Sequence, residues 1–333
     1  MSKVYAPFVR TEDTARRMVM DVLLATVPLC AFSAFLYGMR PVLIVLFSIL
    51  SAMVSEAVCC LFRKQKPTSL RDGSAAVTGA LIGLAMSPAV AYWVPMLGAA
   101  FAIIVVKAPF GGYGRNVFNP AAAGIAIMSF CFPNRVFTYP MFSSFSRLSL
   151  LPEIPESELV VESSLAAQLR EGATPTVTRV HLLIGDFVGP IGATATLVLL
   201  ACLLCLCVRR TVSLWTVLPY LFTCCLIAWL FPCAGVGRLY GTMAQMCSGY
   251  VLFTGVFLLN DPVTTPRYWV GRLFYGVIAA IFVMLLQHIG RFEAGSCFAI
   301  LMMNVLSPLI DRWSWHAMRY FREMKHKGVG AHG

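Results

Sequence analysis

The chain has 333 residues, of which 59% are hydrophobic and only 12% charged, with a net charge of +11 and a mean hydropathy of +0.77. Soluble globular chains carry roughly 25% charged residues, so this composition excludes a water-coated globular protein and predicts a single polytopic membrane domain. The basic residues fall between apolar segments rather than along one face, which excludes nucleic acid as a partner and leaves membrane lipid.

Residues 1–17 are polar and basic. With no apolar core followed by a small-residue cleavage site, they read as a cytoplasmic segment and not a removable leader. Apolar runs near the length that crosses a bilayer follow at 18–38, 41–62, 74–89, 91–108 and 119–133. A long polar interval, 134–191, interrupts them. Five more runs come after it, at 192–208, 211–231, 239–259, 268–287 and 295–311, ahead of a basic tail at 313–333. The expected fold is therefore all-α and polytopic, with about ten transmembrane helices in two five-helix halves, 18–133 and 192–312. The runs 74–89 and 119–133 are punctuated by Gly and Pro, and predict half-helices that stop inside protein, where a bared backbone is tolerated.

Alternating sides through the ten runs puts 19 of the 26 Lys and Arg on one side and seven on the other. By the positive-inside rule both termini are cytoplasmic and 134–191 is extracytoplasmic. Five spans per half is odd, so the second half enters from the opposite side. Faint echoes support an inverted repeat: Thr78-Gly79 with Pro88 against Thr254-Gly255 with Pro262, and Asn119-Pro120 against Asn304 and Pro308. Interrupted segments paired this way point to a site at the interface of the halves.

Few residues offer chemistry. Gly111-Gly112-Tyr113-Gly114-Arg115 leads to Asn119-Pro120. Glycines allow close backbone approach, Arg115 supplies a planar cation, and the helix opening at Asn119 presents amides suited to an anion or a carbonyl oxygen. The same stretch reads equally well as a helix connection with one positive-inside arginine. Asp72 and the Asn260-Asp261 pair stand at cytoplasmic span ends, as helix caps or, for Asp261 and Asn260, as oxygen ligands on an ion pathway. Cys202 and Cys205 form a C-x-x-C inside an apolar run, and the five histidines do not cluster, so no metal site and no catalytic residue is expected. Near the end of the polar interval, Gly172-Ala173-Thr174-Pro175 is a small-residue turn presenting a hydroxyl.

Taken in order, five motifs resemble one family. They are Asp72-Gly73-Ser74 through Thr78-Gly79, the Gly111–Pro120 stretch, Ile184-Gly185-Asp186 through Gly192, Asn260-Asp261-Pro262-Val263, and Ala299 through Asn304 to Asp311. Together they look like the D subunit of the Rnf complex, a relative of the B subunit of the sodium-pumping quinone reductase. The resemblance implies an electron-transfer subunit of a ferredoxin:NAD oxidoreductase in a bacterial or archaeal plasma membrane, coupled to Na⁺ or H⁺ movement. Its implied partners are other Rnf subunits, both integral membrane and iron–sulfur or flavin-bearing, and a flavin transferase. Its implied cofactor is FMN joined through its phosphate to a threonine of the outer loop, here Thr174 with Gly172 and Ala173 before it. A second, non-covalent flavin such as riboflavin is implied near the Asn-Pro helix ends, with Arg115, Asn119 and Thr78 in reach.

The chain departs from the family's attachment pattern at two places. Glu171 stands where Ser or Thr is wanted and Gln168 where Asp is wanted. Thr194, in Gly192-Ala193-Thr194-Ala195, is a second candidate ending in Ala-Thr, without the upstream residues, and reads as a helix start. Two further functions stay open on the sequence, an ion or small-solute channel and a structural subunit without covalent flavin.

Overall fold

A chain that exposes its backbone to hydrocarbon has to satisfy it internally, and a single segment does so only as a helix. A computed structural model of the protein describes residues 15–63, 72–112, 114–141, 161–175, 177–232, 237–289 and 293–329, with side chains described as far as 319. Residues 1–14, the middle of the polar interval and the end of the basic tail lie outside the described residues.

The first apolar runs form α1 (Ala15–Tyr37), α2 (Arg40–Phe62), α3 (Ser74–Leu84), α4 (Trp93–Phe101), which continues as a π-helix (Ala102–Lys107), and α5 (Pro120–Cys131). The polar interval carries the short α6 (Pro133–Val136) and a two-residue antiparallel pair, β1 (Tyr139–Pro140) with β2 (Val161–Glu162). It ends in α7 (Leu165–Arg170) and α8 (Arg179–Ile184). The second set is α9 (Thr196–Val208), α10 (Leu214–Leu230), α11 (Arg238–Cys247), α12 (Val251–Phe253) running into a second π-helix (Thr254–Leu258), α13 (Trp269–Ile289) and α14 (Gly295–Val329).

Three of these helices, α1, α2 and α13, are long and apolar enough to cross a membrane. Shorter apolar helices (α3, α4 with its π-helix, α5, α9 and α10) accompany them. Large apolar side chains stand bare on outer faces, Phe35 at 86% exposure, Phe62 at 84% and Val208 at 83%. Such faces are stable against lipid tails and not against water. The protein is a helical membrane protein.

One hydrophobic core runs through both sets of helices. Within the first set α2 packs on α3 and α4, and α4 on α5; within the second α10 packs on α11 and α13, and α13 on α14. Between the sets α1 meets α9 and α5 meets α14. Beside this core, Leu165 and Leu169 of α7 and Leu182 of α8 close a smaller cluster over Ala244 and Cys247 of α11.

The half-helix expected in 74–89 is α3, and it ends inside the protein. The carbonyls of Leu81, Ile82 and Gly83 are met within the turn by the N–H groups of Ala85 and Met86, and the next three have donors brought from elsewhere. Leu84 O accepts from Gly192 N–H (2.6 Å), Ala85 O from the Tyr250 hydroxyl (2.6 Å) and Met86 O from Ile191 N–H (3.0 Å). Beyond them the buried Arg40 guanidinium donates to Pro88 O and Val90 O, both at 3.0 Å, and lies over the Tyr92 ring. Buried backbone carbonyls left unpaired are costly, so this set of donors is what allows α3 to stop where it does.

Two spans differ from the sequence expectation. The run 239–259 is not one helix: extended backbone at Ser248 and positive φ (57°) at Gly249 break it between α11 and α12. The last helix does not stop near Asp311 but carries on through Pro308 to Val329.

Candidate functional site

The broken helices converge on a cavity of about 90 Å³. Thr78, Asn119, Asn260 and Asp261 all line it, so four of the residues singled out by sequence are brought together. Arg115 is not among its lining residues. It is exposed in the preceding loop, where Gly111, Gly112 and Gly114 all take positive φ. A wider cleft of about 650 Å³ adjoins the cavity, sharing Met18 and Pro262 with it and carrying Gly114, Tyr268, Arg312 and Trp315 on its walls.

Asn119 is the N-cap of α5, with Pro120 fixing the first turn. Its side-chain oxygen accepts from the amides of Ala121 (3.0 Å) and Ala122 (3.2 Å), its Nδ2 donates to Leu258 O (3.0 Å), and its backbone N–H donates to Asn304 Oδ1 (2.8 Å). The amides expected to face a ligand are therefore partly taken by the cap itself. Thr78 likewise gives its hydroxyl proton to Ser74 O, one turn back (3.0 Å), leaving only oxygen lone pairs toward the cavity.

Charge enters from two sides. Asp261 closes a turn, accepting from Val263 N–H (3.2 Å) and the Thr264 hydroxyl (3.3 Å), so it caps this turn and not a helix. Burial pushes its carboxyl above the usual carboxylate range, against the downward pull of its hydrogen bonds from Val263, Thr264 and Asn116. Opposite, Lys107 ends the first π-helix and lines the cavity. Its ammonium donates to Glu56 Oε1 (2.5 Å) and Ser74 Oγ (2.7 Å), and both ends of the ion pair are buried. Asp72, adjacent to α3, is not its N-cap; that position is Gly73, with no side-chain cap.

Two buried oxygens, Asn116 Oδ1 and Asn260 Oδ1, have no hydrogen-bond donor among the described residues, and both residues line the cavity. Buried polar atoms are nearly always satisfied, so a donor or a cation belongs beside them. A dry cavity of roughly 150 Å³ holds a benzene. A tricyclic flavin ring therefore enters this smaller one only as apolar wall residues such as Met18, Val77 or Phe257 move aside.

Thr174 lies elsewhere, at the end of α7. The N–H of Gly172 bonds Leu169 O (3.4 Å) and that of Ala173 bonds Gln168 O (3.0 Å), the paired bonds of a Schellman stop, with Gly172 at φ 71°. A side chain at Gly172 would meet nothing within 4 Å. Ala173 and Thr174 are both exposed. The hydroxyl thus has open space for a bulky group, as attachment of FMN requires. The alternative, Thr194, is 1% exposed in the turn before α9 and is closed to modification. Gln168 and Glu171, the two departures from the family pattern, fall in the last turn and C-cap of α7.

The two cysteines of the C-x-x-C are set in different surroundings. Cys202 is buried with its thiol on Ala25 O (3.3 Å) while Cys205 is exposed, and no group of three His, Cys, Asp or Glu gathers among the described residues. Glu56, Lys107 and Asn116 were missed by sequence reasoning. A signal was present: Glu56 and Lys107 are ionisable residues inside apolar runs, which are functional candidates by default.

The fold and this ionisable cavity define a helical membrane protein built around broken helices. The chain belongs to the NQR2, RnfD, RnfE family, whose model matches residues 3–318. It is 30% identical to the D subunit of the ion-translocating oxidoreductase complex of Cronobacter sakazakii, covering 93% of this chain and 96% of the relative. It is 29% identical to the protein of the same name from Shewanella sediminis, over 89% and 91%. To the D subunit of the Na(+)-translocating ferredoxin:NAD(+) oxidoreductase complex of Acetobacterium woodii it is 27% identical, over 93% and 92%.

Proposed function

We propose that this chain is the electron-carrying D subunit of a membrane ferredoxin:NAD oxidoreductase complex that couples electron flow to Na⁺ or H⁺ movement, with FMN joined by a phosphoester to Thr174. The observation that carries the reading is Thr174 itself: an exposed hydroxyl behind a glycine stop, in a chain similar to named D subunits over nearly its whole length. Bound there, the flavin supplies one- and two-electron chemistry. The protein's part is to anchor it on the outer side of the membrane, away from the cytoplasmic donors.

The topology behind this reading is ten spans in two inverted halves, with both termini cytoplasmic and 134–191 outside. The packing supports it: α2 on α4 in one half is matched by α10 on α13 in the other, and equivalent helices, α1 with α9 and α5 with α14, meet across the middle. The cavity on the cytoplasmic side is assigned to a second, non-covalent carrier such as riboflavin. Asn119 and Thr78 shape its wall, and Arg115 stands in the loop outside. The Asp261 carboxylate with the oxygens of Asn260 and Asn116 is assigned to the ion route, as an all-oxygen set suited to a small hard cation. Partners in the reading are the other Rnf subunits, the transferase and lipid.

The test is flavin fluorescence of the denatured chain in a gel after co-expression with a flavin transferase, beside Thr174→Ala. A bright wild-type band that goes dark in Thr174→Ala is expected. A band bright in both overturns the assignment. A dark wild-type band, with the transferase active on a control substrate, favours the second reading suggested by Gln168 and Glu171, a member of the complex without covalent flavin.

A further inference from the structure

At the outer end of the molecule one acidic side chain from the α13–α14 connection reaches across to the polar interval. Glu293 Oε2 accepts from the Tyr139 hydroxyl (2.9 Å), and Oε1 accepts from the Ser164 hydroxyl. Tyr139 lies in β1, where the interval leaves the membrane helices. Ser164 follows β2, where the chain comes back, and its Oγ also accepts from Ala167 N–H (3.1 Å) as the N-cap of α7. Arg170, in the last turn of α7, acts on the same carboxyl by its charge. The carbonyl of Glu293 and Ala166 of α7 both border Gly249 at the α11–α12 break. One carboxyl therefore holds the two strands at the neck of the interval and the helix whose C-terminal turn presents Thr174.

We propose that Glu293 is the positioning residue of the outer segment, a clasp that docks α7 on the membrane helices and so fixes where the group carried by Thr174 sits. The proposal rests on the reading of Thr174 as the attachment residue. What does the holding is hydrogen bonding to the two hydroxyls and not charge: an amide of the same shape keeps one accepting oxygen and reverses the other contact, its NH2 donating to a hydroxyl oxygen, so it retains much of the hold while truncation removes it. Without the clasp α7 loses its hydrogen-bonded tie to the α13–α14 connection and rests on its small apolar cluster with α11, and a six-residue helix does not persist alone.

The experiment uses the full chain in its complex, produced with the transferase, as wild type, Glu293→Ala and Glu293→Gln. Two readings are taken: tryptic cleavage after Arg170, identified by fragment mass, and the fluorescence anisotropy of the attached flavin. In Glu293→Ala, cleavage after Arg170 is expected to be about tenfold faster, since proteolysis follows the population of the opened segment, and anisotropy to fall. Glu293→Gln is expected within about twofold of wild type. Wild-type cleavage and anisotropy in Glu293→Ala overturn the proposal. So does Glu293→Gln failing as fully as Glu293→Ala, which would assign the holding to charge. If the wild type carries no flavin while cleavage still separates the Ala variant from the Gln variant, the clasp stands and the Thr174 reading fails. If Glu293→Ala does not reach the membrane, the pair Tyr139→Phe with Ser164→Ala removes the same two contacts from the other side, and a wild-type cleavage rate in that pair overturns the proposal.

Discussion

The backbone N–H of Asn119 donates to Oδ1 of Asn304 at 2.8 Å across a sequence separation of 185 residues, and Asn304 Nδ2 donates onward to the Tyr275 hydroxyl at 3.3 Å. These are the two asparagines that the faint internal echo pairs, and they meet face to face at the joint between α5 and α14. Asn304→Ala strands a buried N–H at the start of α5, which costs about 1–3 kcal/mol. Asn119→Ala removes the cap, about 1 kcal/mol, and also leaves Leu258 O without its donor. Thermal unfolding in detergent should show both variants melting below wild type, with α5 docking loosened in each. An unchanged melting temperature for Asn304→Ala would mean that the contact does not join α5 to α14.

The Glu56–Lys107 pair gives a sharper contrast, because removing one partner of a buried ion pair leaves the other uncompensated, at about 3–5 kcal/mol. Lys107→Met and Glu56→Leu are each expected to melt well below wild type. The double variant is expected to recover most of that loss, since an apolar pair of similar volume is often neutral or better. Ser74 Oγ, which accepts from Lys107 at 2.7 Å, loses that contact in Lys107→Met and in the double variant, which keeps the recovery short of complete. Losses that simply add in the double variant would show that the two groups are not coupled.

Much of this architecture was legible because a membrane helix writes itself as about 20 consecutive apolar residues. The half-helix in 74–89 and the turn at Gly172 were also readable, from Gly and Pro at positions where a regular helix cannot continue. The break at Ser248-Gly249-Tyr250 was not: a serine and one glycine inside an apolar run are common in unbroken membrane helices. Nor was the state of the α5 amides, since whether Asn119 caps its own helix or leaves the amides to a ligand depends on its rotamer. The donors that meet the carbonyls of Leu84, Ala85, Met86, Pro88 and Val90 come from Arg40, Ile191, Gly192 and Tyr250. No local pattern reports such long-range pairing. Glu56 and Lys107 were visible as charges in apolar runs but not as a pair, because their partnership is a fact of packing.

Close helix packing makes a further prediction. An added Cβ at Gly276 of α13 would stand 2.3 Å from Thr216 O of α10, a backbone atom that has no side-chain freedom to yield. At Gly241 of α11 an added Cβ meets nothing within 4 Å. Gly276→Ala should push α10 and α13 apart and destabilise by about 1–3 kcal/mol, the ordinary cost of overpacking. Gly241→Ala should be neutral or gain up to about 1 kcal/mol from helix propensity. Melting temperatures in the order Gly276→Ala, wild type, Gly241→Ala check this, and equal values for the two variants would contradict it.

Titration of Glu293 contributes to the slope of stability with pH. Burial is the largest influence on it and raises its carboxyl, while Ser164, Tyr139 and Arg170 pull it down by less. A raised acid binds its proton more tightly folded than unfolded, so between the two values the native state holds more protons and stability falls as pH rises. The contribution is complete below the ordinary carboxyl value near 4.5 and is lost as pH climbs through the folded value. Asp261 is raised for the same reason and has the same sign, so wild type must be compared with Glu293→Gln, in which the contribution of Asp261 cancels. The melting temperature of Glu293→Gln relative to wild type should be lowest near the ordinary carboxyl value and increase toward neutral pH, where the amide is spared the desolvation of a charge. Curves that run parallel from about pH 4 to 8 would show that Glu293 ionises as freely in the fold as in the open chain.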